Sequence, residues 1–281
     1  MFHTCLPFPS AAGILFPMGK TYVFVNQKGG VGKTTSALNI GAYLAKEGKK
    51  VLLVDFDSQA NLSSGVGAKP TKAGIYELLS GKIPVDRAIK ETALPGLDVI
   101  PSSIDLSGAA VELIGQPDRN LFLKKALAPA KDSYDFILID CPPSLGVLTY
   151  NGMAAADDVL IPMQCEYFAM EGLAFLLTAI KRIQQGLNRS LGIGGIFFTM
   201  YDSRTRLAQD VVRQVTAYFK NKVFASVIPR NVRLSEAPSH GLPILLYDPH
   251  CSGAQAYHSL AREVLERASQ VKIGKGGEDG A

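Results

Sequence analysis

The chain contains no tryptophan, and its four cysteines, Cys5, Cys141, Cys165 and Cys251, form no C-x-x-C pair and stand with no histidine at zinc-site spacing. A disulfide scaffold and a structural zinc site are therefore not expected, and free thiols in a reducing compartment are. No apolar run approaches the ~18–20 residues that cross a bilayer. The first seventeen residues, MFHTCLPFPSAAGILFP, hold no Lys or Arg, so they lack the basic region that opens a secretory signal. We read residues 1–17 as an extension outside the fold, with Met18 as an alternative start. The 27 glycines and 16 prolines show no period, which sets aside collagen-like and low-complexity classes. Charge is also scarce: 19% charged residues, a net +4 and 47% hydrophobic residues describe a chain that folds around a core.

What the chain does have is length and a regular alternation of patterns. Its 281 residues suffice for one large α/β domain. Continuous apolar runs predict buried strands over Tyr22–Asn26, Val51–Asp55, Leu97–Ile100, Phe136–Asp140, Val159–Pro162, Ile193–Thr199 and Phe224–Ile228. Helical spacing is predicted for Lys33–Lys46, Arg119–Ala130, Phe168–Gln185, Leu207–Lys220 and Ala254–Val271, the last with Leu260, Val264, Leu265 and Ala268 on one stripe. Such alternation predicts a single doubly wound domain over residues 18–272, with a mostly parallel sheet and helices on both faces. The polar, Gly-rich end, 273–281, is expected to be a disordered tail.

Charge is unevenly placed. Residues 203–235 carry seven Lys and Arg against one acid, Asp210, while the remainder of the chain is close to neutral. A basic segment on a neutral body is the footprint of an anionic partner, or of a solvated helix face; charge alone does not separate the two.

The sharpest motif is Gln27-Lys28-Gly29-Gly30-Val31-Gly32-Lys33-Thr34-Thr35, between a predicted strand and a predicted helix. Glycines let successive backbone N–H groups turn toward a phosphate chain, and the N-terminus of the following helix adds its positive dipole end. Lys33 is placed to reach the β- and γ-phosphates, the Thr34 hydroxyl to ligate Mg²⁺, and Thr35 to bond a further phosphate oxygen. The general pattern G-x-x-x-x-G-K-[ST] is not met, because Gln27 stands where its first Gly belongs; the loop has a second lysine, Lys28, instead.

Acids complete the constellation. Asp55 and Asp57 close the run VLLVD as Asp-Phe-Asp, and Asp140 ends FILID before Cys141-Pro142-Pro143-Ser144. Carboxylates at these strand ends of a parallel sheet face the ligand crevice. Asp140 takes the position of an acid that holds Mg²⁺ directly or through water, which leaves Asp57 to orient the attacking water. An isolated Asp at such a position is more often a turn or cap residue; two beside a phosphate loop argue for chemistry.

The segments KGGVGKTT, VLLVDFDSQANLSSGVG, IDCPPSLG, QCEYFAMEGL, TMYDSRT and VIPRNVRLSEAPSHG, in this order, resemble the ParA/Soj family of chromosome- and plasmid-partitioning ATPases, which carry a deviant phosphate loop. The resemblance covers nearly all of the chain after Met18. It implies binding of ATP with Mg²⁺, and a homodimer in which Lys28 of each subunit reaches the nucleotide of the other. It implies that Asp57 positions the catalytic water and that Pro229 and Asn231 form part of the adenine pocket. It further implies non-specific duplex DNA binding through Arg204 and Arg233, agreeing with the basic segment, and a ParB-type centromere-binding partner that stimulates slow hydrolysis. The implied location is the cytoplasm, on the nucleoid. Ser58 and Ala60 depart from the family, which more often has Pro and Gly there.

Two relatives of the same loop class offer other readings. A MinD-like membrane-positioning ATPase needs a basic–apolar helix at its C-terminal end, and GKGGEDGA has nothing to bury in lipid. A cluster-bridging reductase needs interface cysteines in Gly-rich surroundings, which Cys141 and Cys165 lack. A MinD-like positioning ATPase, or a nucleotide-gated switch that acts on a protein or membrane partner without DNA, stays as the alternative. Neither His3, His240, His250 and His258 nor Met153, Met163 and Met170 suggest a role in the chemistry.

Overall fold

In the computed structural model, which describes residues 19–273 apart from Pro70, the apolar runs become the strands of one sheet. The chain passes through β1 (Lys20–Phe24), α1 (Lys33–Lys46), β2 (Val51–Asp55), α2 (Asn61–Gly65), α3 (Ile75–Leu79), α4 (Val85–Ala88), β3 (Lys90–Glu91) and β4 (Leu97–Ile100). It continues through α5 (Leu106–Ile114), α6 (Phe122–Leu127), β5 (Phe136–Asp140), α7 (Val147–Ala155), β6 (Asp158–Gln164), α8 (Ala169–Gly186) and β7 (Gly192–Thr199). Helices α9 (Arg206–Phe219), α10 (Val232–Glu236), α11 (Ile244–Tyr247) and α12 (Ser252–Ile273) complete it. The expected extension, 1–17, and the expected tail beyond Ile273 lie outside the described residues.

The strand order is β3-β4-β2-β5-β1-β6-β7, parallel throughout except for the two-residue edge strand β3. Side chains alternate between two buried layers, as the period of two requires. Val23, Leu52, Val54, Ile137 and Ile139 pack with helices α3 to α9. Phe24, Leu53, Phe136, Leu138 and Phe197 pack on the other face with α1, α2, α10 and α12. Both faces being dry explains why these strands read as continuous apolar runs. At ~1.5–3 kcal/mol per buried large side chain, these layers are what holds the sheet together. Helix α1 lies directly on β2 because Gly41 has no side chain; a Cβ there would sit 2.7 Å from Leu53 Cδ2.

Three expectations are corrected. Phe224–Ile228 is not a strand: Phe224 N–H and Ile228 N–H do bond β7 carbonyls, at 2.8 and 2.9 Å, but the Glu263 carboxylate takes the N–H groups of Ala225 and Ser226 at 2.8 and 2.7 Å. A side chain from α12 has replaced the ladder between them. The helix expected over Arg119–Ala130 shortens to Phe122–Leu127 and runs into a tighter 3₁₀ turn, Ala128–Ser133, where Pro129 cannot continue the α-helical bonding. The first strand begins and ends two residues earlier than expected, so Val25 and Asn26 already belong to the loop that follows. Among the helices not expected, α7 has most of its residues buried and so shows no amphipathic stripe to read.

Candidate nucleotide site

The phosphate loop leaves the C-terminal end of β1 and enters α1, as its sequence context required. Gly30 and Gly32 have φ of +72° and +83°, a left-handed conformation that side chains resist, so glycine is needed at both. Gly32 is also the N-cap of α1, and neither a side-chain cap nor an acid occupies its first turn. The free N–H groups of that turn are therefore left for an anion. Val31 is buried beneath the loop.

Lys33 opens α1 and is itself buried. Burial holds its ammonium below the ordinary lysine range, against the attraction of Asp140, Cys141 and Asp57. A buried ammonium short of solvation is stabilised by an anionic ligand brought beside it. Lys28, by contrast, projects at the rim, its side chain about half exposed and ion-paired with Glu166 of the β6–α8 connection. Its N–H bonds Asn26 Oδ1 at 3.0 Å.

Asp140 ends β5 fully buried, beside the hydroxyl of Thr34. Burial, together with the neighbouring Asp55 carboxylate, pushes its carboxyl up to about 8; Thr34 and Lys33 pull the other way. Its Oδ1 has no hydrogen-bond partner. An orphaned carboxylate oxygen next to a threonine hydroxyl is a fitting donor set for Mg²⁺, a hard, oxygen-seeking cation. Asp55, its register partner on β2, does different work. It accepts bonds from the Ser63 N–H and hydroxyl at 2.7 and 2.6 Å, anchoring α2, and burial lifts its carboxyl to about 6.

Asp57 lies just past β2 in a turn, half-buried, its Oδ1 accepting the Gln59 N–H at 3.1 Å. Of the two acids in Asp-Phe-Asp it is the one left free for solvent and ligand. The turn closes at Ala60, whose φ of +53° is left-handed. This is the position where the resembled family more often has glycine.

A cavity of about 520 Å³ opens from Gly32, Thr34 and Thr35 to Pro229 and Asn231. The structure thus brings the end of the phosphate loop, from Gly32 to Thr35, and the expected adenine segment, distant in sequence, to one pocket, while Lys28 and Val31 line a neighbouring one. The Asn231 side chain is partly engaged: Oδ1 caps α10 by accepting the Arg233 N–H at 2.9 Å, and Nδ2 donates to Ser252 Oγ at 2.9 Å. Arg230 and Tyr257 also line the cavity, the Tyr257 hydroxyl bonding Ser36 Oγ at 3.0 Å, and neither was singled out from sequence.

Arg204 and Arg233 are both exposed, and both are ion-paired within the chain. Asp202 receives Arg204 Nε and Nη2 at 2.8 and 2.7 Å, and this pairing holds its carboxyl down at about 2. Arg233 pairs with Glu236 at 2.9 Å and with Asp248 at 3.4 Å. The acids flanking the basic segment, Asp202 and Glu236, each pair with one of its arginines, as Asp210 does with Arg213; counting the three, seven bases stand with three acids over 202–236, a net of +4. Among the described residues no helix is long and apolar enough to cross a membrane.

Comparison with known proteins gives the site its relatives. A family model described as "AAA domain" matches residues 19–193. The chain is 64% identical over 253 residues to the chromosome-partitioning ATPase Soj of Treponema pallidum, covering 90% of this chain and all of that one. It is 52% identical to the sporulation initiation inhibitor protein Soj of Bacillus subtilis, covering 88% and 98% of the two. A crystal structure titled cobyrinic acid a,c-diamide synthase from Mycobacterium smegmatis, with ADP and magnesium, superposes with a TM-score of 0.78 at 37% identity, over 90% of this chain and 96% of that one. The motifs, the parallel sheet with its strand-end acids and these identities agree, and the chain belongs to the Soj/ParA family of chromosome-partitioning ATPases.

Proposed function

We propose that the protein is an ATP-dependent DNA-partitioning ATPase, hydrolysing ATP to ADP and phosphate. The observation that carries this reading is the cavity joining the end of the phosphate loop, at Gly32, Thr34 and Thr35, to the Pro229–Asn231 segment. At its phosphate end, where Gly32, Thr34 and Thr35 line it, loop N–H groups from Gly29 to Gly32 and the first turn of α1 bind the phosphates, with Thr35 on a further oxygen. Lys33 neutralises the β- and γ-phosphates. Pro229 offers the base a flat apolar face, and Asn231 a polar edge with its remaining donor and acceptor.

Thr34 and Asp140 would hold Mg²⁺, which when bound supplies charge neutralisation at the phosphates. Asp57 orients a water in line with the γ-phosphorus. The water's oxygen forms its bond to phosphorus as the bond to the β–γ bridging oxygen breaks. Hydrolysis is slow alone, because Lys28 completes the site only from a second copy; in the isolated chain Glu166 holds it. The ATP-bound homodimer binds duplex DNA without sequence preference, through Arg204 and Arg233, on the nucleoid of the cytoplasm. A ParB-type partner stimulates hydrolysis and releases it. The runner-up, a MinD-like positioning ATPase or nucleotide switch acting on a protein or membrane partner, keeps the same nucleotide site and drops the DNA.

The test is charge reversal. Arg204→Glu and Arg233→Glu are expected to keep ATP-dependent dimerisation, read by light scattering, and to lose duplex DNA in filter binding. Retained DNA affinity in both variants would remove the DNA assignment.

A further inference from the structure

We propose that Gln164 and Thr199 are positioning residues that set the phosphate loop in its ligand-ready form before any nucleotide arrives. They are the last residues of β6 and β7 and are register partners. Each donates a side-chain hydrogen bond to one of two successive loop carbonyls. Gln164 Nε2 reaches Gly30 O at 3.2 Å, and Thr199 Oγ1 reaches Val31 O at 2.8 Å. Thr199 is buried, and its methyl group lies 3.6 Å from where a Cβ on Gly32 would stand. The loop's entrance is tied to the same strand end, since Asn26 Nδ2 donates to Pro162 O at 2.8 Å.

The consequence follows from the planarity of the peptide. In each trans unit the C=O and the next N–H point in opposite directions. Fixing the carbonyls of Gly30 and Val31 toward β6 and β7 therefore fixes the N–H groups of Val31 and Gly32 toward the other side of the loop. These peptides are flanked by Gly30 and Gly32, the two positions where rotation meets least resistance. Without the two strand-end donors, the loop would have to order itself when phosphate binds, and affinity would fall accordingly. Gln164 and Thr199 touch the phosphates' binding surface through the loop and not as its ligands.

The inference rests on the nucleotide reading of the site, so the experiment has one arm that does not need nucleotide. Backbone ¹⁵N order parameters and amide exchange with solvent are measured across Gly29–Lys33 in the nucleotide-free protein, the order parameters of Val31 and Gly32 reporting loop exchange between conformations, and Mg-ATP binding and turnover are measured on the same samples. Thr199→Val, which keeps shape and removes the hydroxyl, is expected to lower those order parameters, that is, to speed loop exchange, and to weaken ATP binding about tenfold, the size of one buried hydrogen bond. The loss should appear in KM with kcat little changed. Thr199→Ser should restore both to within about twofold of the parent. Gln164→Leu should act in the same direction and more weakly, about threefold, because its bond is longer and less buried. Loop exchange and ATP affinity in Thr199→Val equal to the parent's would overturn the proposal, as would equal losses in the Val and Ser variants. If the parent itself binds no Mg-ATP, the nucleotide reading falls, and the exchange arm alone decides whether the clamp exists.

Discussion

Replacing Asp57 by alanine separates three quantities that depend on this site in different ways. Stability should change little. Asp57 is half-buried in a turn, and the hydrogen bond it loses is to the exposed Gln59 N–H at 3.1 Å. That is worth about 1 kcal/mol or less, or roughly 2–4 °C in Tm for a domain of this size. Turnover should fall by about 10²–10⁴, the range expected when a group that positions or polarises the attacking water is removed. ATP affinity should hold or rise, because a carboxylate close enough to act on Lys33 and Asp140 also repels the polyphosphate. The assays are phosphate release, equilibrium binding of ATP and thermal melting on the same preparation, with Asp57→Asn as a second variant of similar size. Turnover within about threefold of the parent in both variants would refute the role given to Asp57.

Three further outcomes follow from particular contacts. Ala60→Gly should raise thermal stability: relief of a left-handed alanine, about 1–2 kcal/mol, outweighs the added chain entropy of glycine, about 0.5–1 kcal/mol; a lower Tm would contradict this. Asn39→Leu should cost about 2–3 kcal/mol in urea unfolding, because Asn39 accepts the buried Ile244 N–H and donates to Thr35 O, both at 2.8 Å. A cost near zero would mean that α11 is not fastened to α1 through this side chain. Glu166→Gln removes an ion pair whose partners are both about half exposed, so melting should shift by less than about 1 kcal/mol, and a larger shift would show that the pair is structural.

The parts of the site that could be read from sequence are those whose chemistry is local. Gly30, Gly32, Lys33 and Thr34 sit within five residues at the junction of one loop and α1, and the backbone conformation the two glycines need is written in their residue type. Asp140 and Asp57 were legible because a strand end fixes where a carboxylate emerges. Gln164 and Thr199 were not, since each meets the loop from more than 130 residues away, and nothing local distinguishes a clamping side chain from an ordinary strand end. The apolar strands were legible because both faces are buried. The error at Phe224–Ile228 had a distant cause of the same kind, with Glu263 on α12 taking the amides that a neighbouring strand would have used. Helix α7 was invisible because burial all round erases the stripe that marks a helix. The charge of the basic segment depends on where the window ends, because an acid stands one residue beyond each limit, but an excess of base remains over 202–236.

The account stands most directly on the coupling of DNA to nucleotide state. Duplex DNA binding should be measured without nucleotide, with ADP, with ATP and with a slowly hydrolysed ATP analogue, each at two salt concentrations, for the parent and Lys33→Ala. The expected result is binding with ATP and with the analogue only, lost in the variant and falling steeply with salt, as phosphate contacts by arginine require. DNA binding that ignores the nucleotide, or that is absent in every state, would contradict it.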